Sequence, residues 1–336
     1  MIDARIAVLE QPRRLVFKQE QLDPAALKEG QLLCETLVSA ISPGTEVAAY
    51  LGAPPLRPGV VYPRFVGYCN VARVLHTAPG SSGFQVGDRV LTGASHRSHF
   101  VTSAGDVLAK LPGTLPIEDA VCAYLFHLGY NAVLCAEVRP GSTVVVVGLG
   151  VLGLTSVATA ALAGARVSAI SNHSRPRELA QAMGATACFD RSQLPALMEA
   201  LGADRAHVVI TTSNAWADWR IALECAGNRG TIAVLGFPGR DQKEIPSNPL
   251  DSAHFYTRQL RIMAVGMSPR RPDDRGFQPF NERDNLKRIL AWIGDGTLKP
   301  SLLLSGEIAG SDLDQAYQRL IRRDGSPLTY LLRWAE

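Results

Sequence analysis

The run Gly148-Leu149-Gly150-Val151-Leu152-Gly153 has the spacing of a turn that cradles a pyrophosphate. It follows the apolar run TVVVV and opens a small-residue helix, the context that this chemistry requires. Gly148 permits the tight turn. Gly150 lets backbone approach a phosphate, and Gly153 lets helix and strand pack closely. The N–H groups of Val151 and Leu152 then meet the anion at the positive end of the helix. A second cluster reads the other end of the cofactor. An NAD-selective site places Asp or Glu at the end of the next strand, but this chain has Ser171, followed by Asn172-His173-Ser174-Arg175. Hydroxyl, amide and guanidinium groups suit a 2′-phosphate, which a carboxylate would repel, so the expected cofactor is NADP(H). Thr211 and Gly236, in the later segments HVVITT and TIAVLG, are also assigned to the cofactor site.

Around this motif the apolar periodicity alternates between strand and helix. After TVVVV come RVSAIS, RELAQAMGA, ACFD, LPALMEALGA, HVVITT, WADWRIALECA and TIAVLG, which predict a doubly wound parallel sheet. Before it, short apolar runs such as ARIAVLE, QLLCETLVSAIS and GYCNVARVLH are broken by Gly and Pro, predicting a β-rich, barrel-like unit. PIEDAVCAYLFHLGYNAVL reads as one helix between the two. After the polar stretch SPRRPDDRGFQPFNERD, the segments NLKRILAWIGDG and SDLDQAYQRLIRR read as amphipathic helices, the second N-capped by Ser311 or Asp312.

The bulk properties exclude several classes. At 336 residues with 46% hydrophobic and 19% charged residues, the chain is long enough for two globular domains and too apolar for disorder. A net charge of +3, spread along the chain, predicts neither a nucleic-acid nor a membrane partner. The N-terminus has no signal-peptide pattern, and none of the 6 cysteines forms a CxxC pair, so reduced thiols in a cytoplasmic protein are expected.

The order of β-rich segment, GDRV turn (Gly87 to Val90), helix, VVVVGLGVLG and terminal return resembles the medium-chain dehydrogenase/reductase superfamily along the whole chain. The segment ISPGTE and the opening AVLEQPRRL are similar to a branch that includes bacteriochlorophyllide and polyol dehydrogenases. The resemblance implies an α/β protein: a GroES-like catalytic domain at 1–124 and 267–336, interrupted by a Rossmann domain at 125–266, with the active site in a cleft between them. It also implies a homodimer, for which the strand around Arg261 to Gly266 is a candidate edge.

Departures from the family pattern define the expected chemistry. Where zinc-bearing members carry a ligand cysteine, this chain has Ser42, within Ile41-Ser42-Pro43-Gly44-Thr45-Glu46. Their Gly-His-Glu is matched by Gly67-Tyr68-Cys69, and counting back from Tyr130 puts Tyr124 at the third ligand position. Ser and Tyr are poor zinc ligands, and no cysteine lies between Val90 and Leu111 for a structural zinc lobe, so no metal is expected. The resemblance then directs the Tyr68 and Tyr124 hydroxyls at the reacting atom, with Thr45 as a substrate hydrogen-bond partner and relay. His127 follows Tyr124 by three residues on one helical face. Tyr124 reads equally well as a core residue. His96 and His99 read as structural or rim residues, Glu46 as the partner of an arginine, and Tyr50, Phe255 and Tyr256 as either pocket lining or core.

The expected function is zinc-free hydride transfer between NADPH and a small carbonyl/alcohol substrate, with proton transfer assisted by tyrosine. Reduction of a conjugated C=C bond and non-catalytic NADPH binding are the alternatives.

Overall fold

The computed structural model describes residues 1–56, 61–242, 244–270, 280–323 and 325–335. Contacts divide the chain into two units, Met1–Tyr124 with Arg270–Glu336, and Leu125–Pro269. The first begins with the hairpin β1 (Ile2–Gln11) and β2 (Arg14–Leu22), then β3 (Gln31–Ala40) and helix α1 (Pro43–Leu51). There follow β4 (Arg64–Phe65), β5 (Cys69–Thr77), β6 (Arg89–Thr92), β7 (His99–Ser103) and β8 (Ala109–Lys110). PIEDAVCAYLFHLGYNAVL does not form the single helix that its periodicity predicts. A tight turn in which Cys122 N donates to Asp119 O breaks it into α2 (Ile117–Ala120) and α3 (Ala123–Cys135).

The second unit alternates β9 (Thr143–Val147), α4 (Val151–Leu162), β10 (Arg166–Ile170), α5 (Ser174–Ala182), β11 (Ala187–Phe189), α6 (Leu194–Leu201), β12 (Ala206–Thr211), α7 (Trp216–Cys225), β13 (Ala226–Val234) and β14 (Arg261–Ala264). Its six strands pair in the order β11-β10-β9-β12-β13-β14, all parallel. Every residue of β9 is buried, as a central parallel strand covered on both faces requires. In α4, Ser156 Oγ donates to Leu152 O and Thr159 Oγ1 to Thr155 O, so these buried hydroxyls are satisfied within the helix.

The chain ends in the first unit with α8 (Glu282–Gly294), β15 (Leu304–Ala309), α9 (Leu313–Arg322) and β16 (Thr329–Arg333). Strand β16 pairs with β3, extending the sheet β15-β16-β3-β5-β6-β8, to which β7 adds through β3. Helix α8 starts at Glu282, earlier than the apolar pattern from Asn285 suggests, because Asn281 caps it by accepting from Asp284 N at 3.1 Å. The rest of the polar stretch before it, residues 271–279, lies outside the described residues. In α9, Leu313, Ala316, Tyr317 and Leu320 form one buried stripe packed with Leu9, Ile41 and Leu332. Asp312 occupies the N-cap position but makes no side-chain cap bond. A 3-10 turn, Gly310–Asp312, runs straight into the helix and leaves Asp312 at ψ 20°, outside the extended geometry that folds a cap side chain back.

Candidate active site

In the first unit, Ser42 sits at the N-cap of α1 and Tyr68 immediately before β5. The Tyr68 hydroxyl donates to Ser42 Oγ. Burial pushes the Tyr68 phenol well above its ordinary pKa, Cys69 and Glu46 push it the same way, and the Ser42 and Thr45 hydroxyls partly oppose them. Thr45 is therefore in the same cluster. The Tyr124 ring packs edge-on against Tyr68, with centroids 5.4 Å apart. Four of the expected site residues, Ser42, Thr45, Tyr68 and Tyr124, thus converge.

The Tyr124 hydroxyl makes a contact that the sequence did not disclose. It donates to Glu282 Oε2 at 2.9 Å, across 158 residues of sequence. Burial and then the Glu282 carboxylate raise the Tyr124 phenol strongly. Glu282 is itself buried, in the first turn of α8, where a carboxylate is favoured by the helix dipole.

Among the described residues Glu46 does not pair with an arginine. It accepts from Ser42 N at 2.6 Å, from His96 Nε2 at 2.8 Å and from Tyr317 Oη at 2.7 Å, because α1 turns it into the interior. His96 is fully buried, and His99 lies part-buried 4.0 Å from Glu35. Tyr50 is a core residue whose hydroxyl donates to Asp314 at 2.7 Å. Phe255 packs on the core of the second unit, and Tyr256 is 79% exposed. His127, on α3, is buried, and desolvation pulls its imidazole down to about 4.

In the second unit, Gly148 has φ +91°, and a Cβ on Gly153 would stand 1.9 Å from Gly148 O. No side chain fits there. At Gly150 the opposite holds: no atom lies within 4 Å of where a Cβ would stand, and α4 begins there with no side-chain cap. The turn leaves an open face lined by the amides of Val151 and Leu152, which fits a pyrophosphate. Thr212 Oγ1 braces the turn through Gly148 O at 2.9 Å. Gly236 packs against the Thr212 backbone, and buried Thr211 Oγ1 has no partner among the described residues.

Beyond β10, three guanidinium groups have different duties. Arg177 Nη1 donates to Ser171 O at 2.6 Å, and Arg191 pairs with Asp218 at 2.6 and 2.7 Å. Arg191 N also donates to Asn172 Oδ1. Arg175, exposed in the first turn of α5, forms no ion pair among the described residues. The neighbouring acid Asp190 is engaged in capping the turn at Ser192 and Gln193.

The sequence profile of the zinc-binding dehydrogenase family matches residues 150–275. An uncharacterized zinc-type alcohol dehydrogenase-like protein of Haemophilus influenzae is 23% identical over 71% of this chain and 78% of its own. The 2-desacetyl-2-hydroxyethyl bacteriochlorophyllide A dehydrogenase of Cereibacter sphaeroides is 38% identical over 26% of this chain and 27% of its own. The crystal structure of 2R,3R-butanediol dehydrogenase from Bacillus subtilis shares the fold, with TM-score 0.81, 16% identity and coverage of 98% of this chain and 99% of that one. The chain is similar in sequence to zinc-type dehydrogenases of the medium-chain family. Its α/β architecture is that of this family, a GroES-like unit with a Rossmann unit.

Among the described residues no group of three or more His, Cys, Asp or Glu is arranged to hold a metal ion. Ser42, Tyr68 and Tyr124 present hydroxyl oxygens instead of the thiolate, imidazole and carboxylate groups that zinc prefers. This donor set does not fit zinc. No described helix is long and apolar enough to cross a membrane.

Proposed function

We propose that the protein is an NADPH-dependent oxidoreductase that interconverts a carbonyl and an alcohol without zinc. The observation that carries this reading is the Tyr68–Ser42 hydroxyl pair, with Thr45 and Tyr124 beside it, where the family's zinc ligands would stand. Bound NADPH supplies the hydride. Tyr68, kept protonated by its surroundings, donates a hydrogen bond to the substrate oxygen and then its proton as negative charge develops there. Ser42 and Thr45 donate hydrogen bonds to the resulting phenolate, and a proton from solvent water restores the phenol. Tyr124, tied to Glu282, fixes the Tyr68 ring edge-on. His127, neutral at physiological pH, contributes an uncharged imidazole to α3.

In this reading the pyrophosphate lies on Gly148, Gly150, Val151, Leu152 and Gly153, bounded by Thr211 and Gly236. Ser171, Asn172 and Arg175 take the 2′-phosphate. Arg177 and Arg191 are committed to holding the loop, which leaves Arg175 for the ligand. The substrate is a small molecule. Calorimetry should show NADPH binding more tightly than NADH, and metal analysis should find no stoichiometric zinc in the active protein. Equal affinities would remove the cofactor assignment. One zinc per chain, with activity lost on chelation, would remove the zinc-free mechanism.

A further inference from the structure

Glu46, 2% exposed, is a hub beneath the hydroxyl pair. Its carboxylate accepts Ser42 N–H through Oε1 and both the His96 imidazole and the Tyr317 hydroxyl through Oε2. His96 Nδ1 lies 2.8 Å from Ser39 Oγ, which accepts from Trp334 Nε1 at 2.8 Å. With Nε2 donating to Glu46, Nδ1 accepts from Ser39 Oγ, and each of these polar groups has a partner.

The hub reaches both ends of the Tyr68–Ser42 bond. At one end it holds the Ser42 amide. At the other, the His96 ring lies against Gly67: a Cβ there would stand 2.6 Å from the imidazole, and Gly67 has φ +86°. His96 N also donates to Val66 O at 2.8 Å. The ring and backbone of one histidine therefore fix the two residues that precede Tyr68.

We infer that Glu46 and His96 are positioning residues that hold Tyr68 and Ser42 in register, with Tyr317 of α9 as the third anchor. The consequence for turnover rests on the proposed function, whereas the consequence for Tyr68 itself rests on geometry alone. Glu46→Gln has one acceptor oxygen for three donors and turns an amide N–H against the others, so the register should loosen.

The test places 3-fluorotyrosine at position 68 and records fluorine NMR, alongside NADPH affinity and steady-state kinetics, in Glu46→Gln and Tyr317→Phe. The expected result is a single narrow resonance in the parent that broadens or splits in both variants. NADPH affinity should hold, and kcat should fall roughly tenfold to a hundredfold with KM little changed. A Glu46→Gln protein that folds with the parent resonance and the parent kcat would overturn the inference. If Glu46→Gln does not fold, Tyr317→Phe decides by the same two readouts. A parent that turns over no carbonyl or alcohol refutes the proposed function instead, and the fluorine resonance alone then decides this inference.

Discussion

A phenol that is both buried and hydrogen-bonded to hydroxyls holds its proton until negative charge appears beside it. That property keeps Tyr68 protonated at physiological pH, the state that its proposed role as acid in reduction requires. At the proposed cofactor end the group that matters is Arg175, which has no ion-pair partner among the described residues. Arg175→Ala should weaken NADPH binding roughly tenfold to a hundredfold and leave NADH binding nearly unchanged, measured by calorimetry. An equal loss for both cofactors would move the 2′-phosphate away from Arg175. Tyr68, Ser42 and Thr45 were legible because they stand in short motifs whose slots are fixed by strand ends. Glu282 and Tyr317 were not, because their partners lie 158 and 271 residues away and no local pattern encodes such a pairing. His96 was read as structural, and the structure gives that reading its partners, Glu46 and Ser39.

Elements hold these groups in place. Helix α4 could be placed from its glycine turn and small residues, and α9 from its apolar stripe at i, i+3, i+4 and i+7. The break between α2 and α3 escaped detection because both sides of it are apolar and helix-compatible, and only a single turn at Cys122 divides them. Helix α3 also carries a pH signature. The folded pKa of His127 is depressed, so the unfolded chain binds a proton first as pH falls below about 6.5. Stability should fall from there towards pH 4 by at most roughly 3 kcal/mol from this group. Urea unfolding across that range should show a shallower decline in His127→Leu than in the parent. Parallel curves would place the acid sensitivity elsewhere.

On the scale of the whole molecule, β14 pairs with β13 alone among the described residues and ends the parallel sheet. A parallel edge left unpaired is a template for another strand, and we propose that a second copy of the chain covers it as a homodimer. Light scattering at micromolar concentration should give twice the chain mass, and a Pro substituted at Met263 should shift the protein towards monomer. A monomeric parent would contradict the proposal.

Zinc-free chemistry here requires that a tyrosine take the metal's place at the reacting oxygen. The most direct test is the single-turnover rate of NADPH oxidation in zinc-free buffer, with a carbonyl substrate identified from a panel, for the parent and Tyr68→Phe. The substitution keeps the ring and removes one hydroxyl. The account predicts an unchanged NADPH affinity and a hydride-transfer rate lower by about 10²–10⁴-fold. A loss under about threefold, well below the range for a positioned acid, would contradict it.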